Sequence, residues 1–129
     1  GMKSIRFLGF LQPEEIPFVF AVSDIFLFCS RYDGWAVVIN EALSASLPVV
    51  TSNAASASEL IVAGETGYIH DAEAIRDYSA SLDLLLSNAS LRSDMARKGK
   101  LTAKSWNSAS MADKVLGVIV DNGDQANVK

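Results

Sequence analysis

Short apolar runs alternate with longer stretches of helical period along this chain. "IRFLGF" (residues 5–10) reads as a short strand. "PEEIPFVFAVSD" follows, a helix opened by Pro13 and two acids, with Pro17 in its first turn. "IFLFCS" (25–30) is a continuous apolar strand, closed by the turn signal "YDG". "WAVVINEALSAS" (35–46) has the length of a helix. "PVVTS" (48–52) is a strand that opens with proline, where a missing donor is tolerated. A short helix is expected near "SASELIVAG", ending at Gly64, and a fourth strand at "TGYIH" (66–70). Residues 71–88 form an amphipathic pattern with Asp71 as the expected N-cap. Ala74, Ile75, Tyr78, Leu82, Leu85 and Leu86 recur near the helical period. "ASLRSDMARKGKLTAKS" and "WNSASMADKVLGVIV" are two further helices, and "DNGDQANVK" is a polar tail.

Strands alternating with helices predict an α/β fold, a partial Rossmann-like parallel sheet of about four strands with flanking helices. "IFLFC" is apolar enough to be covered on both faces. One domain over residues 1–120 and a tail over 121–129 account for the length. Half the residues are hydrophobic, and the net charge is -4. An acidic chain repels phosphate backbones, so no nucleic-acid partner is expected, and "RKGK" (97–100) reads as a solvated helix end. No run approaches the ~18 apolar residues of a membrane span, and no leader pattern opens the chain. The single cysteine, Cys29, excludes a disulfide framework and fits a reducing, cytoplasmic compartment. It reads as a buried strand residue. His70, the one histidine, reads as the surface end of a strand, and no metal site is expected.

"RYDGWAVVINEALSASLPVV" (31–50) carries the chemistry. In parallel sheets ligands bind beyond the carboxyl ends of the strands. Here a strand ends, the chain turns, and a helix begins near Trp35. The amides of Gly34, Trp35, Ala36 and Val37 would lie in the turn and the first helical turn, lacking helical acceptors and facing the positive end of the dipole. That is a site for phosphate. At ~100° per residue Glu41 falls within about 20° of Gly34, on the same face one to two turns down. A carboxylate there can accept hydroxyl hydrogen bonds, as from a ribose, while Asp33 stands at the mouth. A plainer reading has Asp33 capping the helix and Glu41 solvated; a buried carboxylate without a partner would be costly.

At these residues the chain resembles the retaining glycosyltransferases of family 4 (glycosyl transferases group 1), in the C-terminal, donor-binding domain of their GT-B fold. That family has a strand, then "EGFG", then a helix with a second Glu eight residues after the first; here it reads "DGWAVVINEALSASLPVV". "IRFLGFLQPEEIPFVFAVSDIFLFCS" and "SELIVAGETGYIHD" resemble further family segments, so the likeness spans roughly residues 5 to 107. It implies Asp33 beside the transferred sugar, the amides of Gly34, Trp35, Ala36 and Val37 on sugar hydroxyls and diphosphate, Glu41 on the ribose, and Leu11 bordering the nucleobase. The substrate implied is a nucleotide-diphosphate sugar, used without metal or other cofactor in cell-surface glycan or glycolipid synthesis. Three departures stand out: Asp for the first Glu, Ala36 for the last Gly, and "SNAASASE" for a glycine-rich loop.

The family's strand and loop that bring Arg and Lys to the diphosphate are not in this sequence, nor is the N-terminal acceptor domain. Developing charge on the leaving group needs such cations, so the chain alone is expected to transfer no sugar. In a 3-2-1-4-5-6 sheet the absent strands lie between "IRFLG" and "IFLFC". That leaves bare edges, and the first strand should rearrange or the edges pair two copies as a homo-dimer. The alternative function is a non-catalytic nucleotide-binding or oligomerisation module derived from such an enzyme. An unrelated flavodoxin-like domain ranks below both, lacking the acidic cluster after a first strand.

Overall fold

A computed structural model describes residues 5–106. The strands are β1 (Phe26–Phe28), β2 (Val49–Ser52) and β3 (Gly67–His70), all parallel and in the order β1-β2-β3. The register sets Phe26 against Val49 and Val49 against Gly67. Helix α1 (Ile16–Ala21) precedes β1, and α2 (Val37–Ser44) joins β1 to β2. A 3-10 helix (Ser56–Leu60) joins β2 to β3, and α3 (Ile75–Ser87) and α4 (Ala89–Ser105) follow.

β2 is buried along its whole length. Successive strand residues point to opposite faces, and Val49 and Val50 divide the interior accordingly. Val49 joins Phe20, Ile39, Ala42, Leu43, Leu60 and Ala103. Val50 joins Tyr78, Leu85 and Met95. One sheet face is thus covered by α1, α2 and the 3-10 helix, and the other by α3, with α4 contributing to both.

Two glycines set close approaches. A Cβ on Gly67 would collide with the Val49 carbonyl oxygen across the β2–β3 ladder. A Cβ on Gly99 would meet Leu43 Cδ2 at 2.8 Å, where α4 crosses α2. The two long helices share a joint. Asn88 ends α3 and caps α4, its Oδ1 accepting from the Leu91 amide at 2.9 Å. Arg92 Nη1 reaches back to the Leu85 and Leu86 carbonyls at 2.6 and 3.0 Å.

Several expectations need correction. Residues 5–10 form no strand, and Phe7 and Phe10 are 95% and 87% exposed. A strand exists only by pairing, and no partner strand lies among the described residues. The sheet therefore has three strands rather than four. β1 is an edge strand of three residues with Leu27 44% exposed, so it is not covered on both faces. Cys29 lies just past its end and is exposed, not buried.

The PEE residues make a turn, with Gln12 and Glu15 exchanging hydrogen bonds, so α1 starts at Ile16 with Pro17 in its first turn as expected. Asp71 does not cap α3: it turns the chain ahead of the helix, accepting from the Glu73 amide, and Ala74 is the N-cap. "RKGK" is no helix end. It lies inside α4, with Gly99 buried, Arg97 paired to Asp94, and Lys98 near Asp94 and Glu65. The helix expected after Trp106 lies outside the described residues.

Gly67→Ala should cost about 3 kcal/mol or more, or prevent folding, because backbone must move. Gly99→Ala should change stability by about 1 kcal/mol or less. There the gain in helix propensity, roughly 1 kcal/mol, offsets displacement of a side-chain methyl. Urea midpoints of the two variants check the contrast.

Candidate functional site

The segment between β1 and α2 is fixed from β2. Thr51 Oγ1 donates to the Phe28 carbonyl at 3.2 Å, and Ser52 Oγ to the Ser30 carbonyl at 2.6 Å. Both residues are fully buried, so the hydroxyls must find acceptors, and the carbonyls at the end of β1 and two residues past it are in reach. Further on, the Asp33 amide donates to the Ala54 carbonyl (3.3 Å) and the Ala57 amide to the Trp35 carbonyl (3.1 Å). Arg31 pairs with Glu73 at 2.7 Å across the surface, which holds the guanidinium pKa above its ordinary value. The Trp35 ring stands 6.2 Å from that of Trp106.

The chain enters α2 through Ala36, which has φ 52 and ψ 59, a left-handed conformation suited to glycine. No side chain caps α2. Asp33, half-buried, therefore does not act as the cap, and the first-turn amides have no side-chain acceptor among the described residues. α2 begins at Val37 rather than near Trp35, so Gly34, Trp35 and Ala36 lead into the helix instead of forming its first turn.

Glu41 is exposed, so it bears none of the cost expected of a buried carboxylate. It lines a groove of about 420 Å³ between α1 and α2. Pro13, Ile16, Pro17 and Phe20 form the apolar wall, and Asn40, Glu41 and Ser44 the polar one. Leu11 is half-buried just ahead of Pro13 and does not itself line the groove. Sequence reasoning missed Asn40 and the apolar face of α1. The signal available was Asn40, Glu41 and Ser44 at positions i, i+1 and i+4 of an otherwise apolar helix.

On the other face, below the carboxyl ends of β2 and β3, lies a second polar group. His70 Nε2 bonds Ser81 Oγ at 2.8 Å, and its ring meets that of Tyr78 edge-on at 5.2 Å. The Tyr78 hydroxyl is buried and unpartnered among the described residues. Burial raises the phenol pKa above its ordinary 10.0, and Cys29 and Asp71 add to that. Ser52 lies close enough to oppose the rise but spends its proton on the Ser30 carbonyl. Partial burial also raises the Cys29 thiol. Among the described residues no three His, Cys, Asp or Glu side chains gather as metal ligands, and no helix is long and apolar enough to cross a membrane.

The strand–turn–helix with its two acids lies inside the match of a family model, glycosyl transferases group 1, over residues 2–102. The chain belongs to that family. The spore coat protein SA of Bacillus subtilis (strain 168) is 32% identical over 92% of this chain and 32% of its own length. The O-antigen chain mannosyltransferase B of Escherichia coli is 34% identical over 79% of this chain and 27% of its own. The chain therefore spans about a third of the length of the curated relatives it matches. Among solved structures, the C-terminal domain of a group 1 glycosyl transferase (LpcC) from Francisella tularensis superposes with a TM-score of 0.72 and 28% identity. That match covers 78% of this chain and 52% of that domain. Anabaena Alr3699/HepE in complex with UDP-glucose has a TM-score of 0.77 at 19% identity, over 93% of this chain and 33% of that one, a likeness of fold. Within the group 1 family this chain is thus part of a C-terminal, Rossmann-like domain of a GT-B glycosyltransferase.

A left-handed alanine is strained by about 1–2 kcal/mol, and glycine returns roughly 0.5–1 kcal/mol of that as unfolded-state entropy. Ala36→Gly should therefore stabilise by about 0.5–1 kcal/mol, read as a higher urea midpoint at unchanged m-value. Tyr78→Phe removes an unpaired buried hydroxyl and should be neutral or stabilising at pH 7. Because folding raises the Tyr78 pKa, its contribution is whole below the unfolded value of 10.0 and is lost as pH rises through the folded value. Melts above pH 10 should show that alkaline loss reduced in Tyr78→Phe.

Proposed function

We propose that this chain is the donor-binding part of a retaining glycosyltransferase, which transfers a sugar from a nucleotide-diphosphate sugar to an acceptor in cell-surface glycan or glycolipid synthesis. The observation that carries it is the alignment along one helix. Gly34, Trp35 and Ala36 lead into α2, Val37 opens it, and Glu41 one turn on lines the groove between α1 and α2. The amides bind diphosphate and sugar hydroxyls, and Glu41 accepts from the ribose diol. Asp33 stands beside the transferred sugar as the catalytic-site acid, and Leu11 borders the nucleobase. In the reaction the bond from the sugar's anomeric carbon to the diphosphate oxygen breaks. A bond to the acceptor oxygen forms on the same face, and the acceptor's proton passes to the departing diphosphate. Metal plays no part in this reading, and the reducing compartment favoured by the lone Cys29 makes the location cytoplasmic.

The chain does not act by itself. Charge grows on the departing diphosphate and needs cations to stabilise it. Arg31, the cation of the loop, is engaged by Glu73. An N-terminal acceptor domain and the rest of the donor domain supply what is missing. The spore coat and O-antigen names of two relatives support a glycan destination.

At a tenfold excess over its Kd, a bound nucleotide adds roughly 1.4 kcal/mol, on the order of 5–10 °C in Tm for a domain this size. UDP or GDP at millimolar concentration should raise the melting temperature so, and Glu41→Ala should remove most of the rise. No shift with either nucleotide would refute the donor-site reading. Turnover of a nucleotide-sugar by the purified chain would refute the claim that it is inactive alone.

A further inference from the structure

The loop that leads into α2 holds a conformation that its own residues do not favour. Ala36 is left-handed, and such strain persists only where the surroundings over-determine it. Two ties come from the segment after β2. The Asp33 amide donates to the Ala54 carbonyl, and the Ala57 amide to the Trp35 carbonyl. Both act on the backbone ahead of Ala36, and neither fixes the Trp35 side chain. A third tie comes from the end of α4. The Trp35 ring stands 6.2 Å from the Trp106 ring at a tilt of 41°. That lies within the ~4.5–7 Å over which aromatic pairs attract. Both tryptophans of the chain take part in this one contact.

Trp106 is itself firmly seated. It ends α4, its amide donating to the Ala103 carbonyl at 3.1 Å. It packs against the core cluster that takes in both Ala36 and Ala103. α4 in turn rests on α2, with Gly99 against Leu43. The contacts thus close a circuit. α2 meets α4 through Leu43 and Gly99, α4 carries Trp106 to Trp35, and Trp35 runs back into α2.

We infer that Trp106 is a positioning residue for the donor site: its ring backs Trp35 and so holds the loop in its left-handed turn at Ala36. For what the loop binds, this rests on the donor-site reading above. Without the Trp106 ring, Trp35 is released, and Ala36 relaxes to the right-handed or extended region that alanine prefers. The amides of Gly34, Trp35, Ala36 and Val37 then leave the places from which they meet diphosphate. Glycine takes the left-handed turn without steric cost, so glycine at position 36 needs no brace.

Hydrogen exchange by NMR reads the loop without any ligand. In Trp106→Ala the Asp33 and Ala57 amides should exchange about fivefold faster relative to the β2 amides, the equivalent of one aromatic contact. Trp106→Phe keeps a ring and should restore most of the protection. Trp35→Ala removes the more exposed partner, which stands outside both cores, and should loosen the same two amides. Unchanged protection in Trp35→Ala overturns the inference even where Trp106→Ala does not fold. In an Ala36→Gly background, Trp106→Ala should cost under about twofold. Calorimetric titration with UDP and GDP should follow the same order, Trp106→Ala weakening whichever binds about fivefold with alanine at 36 and less with glycine. A merely structural role would speed loop and β2 exchange alike and weaken binding equally in both backgrounds, and either result overturns the inference. So does unchanged exchange and binding in Trp106→Ala, while the donor site stands. Exchange as expected, with neither nucleotide bound by the parent chain, overturns the donor-site reading and leaves Trp106 as the brace of the loop.

Discussion

The structure depends on a single buried strand. β2 lies between two cores, and its last two residues are polar, so its burial carries an obligation that apolar strands do not have. Thr51 and Ser52 meet it by donating to the Phe28 and Ser30 carbonyls. Those bonds fix where β1 ends and where the following loop begins. The loop then takes its path from the backbone of residues 54 and 57, again just beyond β2. The loop that leads into α2 is thus placed by hydroxyls one strand away.

From that anchor the chemistry runs along α2. Backbone donors lead into the helix, and Asn40, Glu41 and Ser44 follow on one side of it, facing an apolar wall. The same helix buries Ile39, Ala42 and Leu43 on its opposite side, so the groups that would meet ligand ride on a packed support.

Much of this was legible in the sequence. α2, β2, β3, α3 and α4 follow from periodicity, since burial of one stripe or both faces writes itself into residue order. The turn with Asp33 and Gly34 and the spacing to Glu41 were equally plain. What was not legible depends on partners far away in sequence. Residues 5–10 look like a strand, but pairing decides that, and no described strand pairs with them. Cys29 follows four apolar residues and still lies exposed, because β1 is an edge. The left-handed geometry of Ala36 has no local signature, since alanine, unlike glycine or asparagine, seldom adopts it. Asn40 reads as one more polar helix residue until the neighbouring α1 turns its surroundings into a groove.

The division of labour between Val49 and Val50 has a consequence for how such a chain can change length. Side chains on a strand alternate with a period of two, so one residue gained or lost ahead of β2 would exchange the contents of both cores at once. The joint between α2 and β2, where Leu47 and Pro48 are buried, is therefore closed to insertions and deletions. The exposed turn around Asp71 and Glu73 feeds a helix whose cap is not a side-chain bond, and it can lengthen without moving either core. The places where this fold can acquire new segments are thus set by one strand's parity.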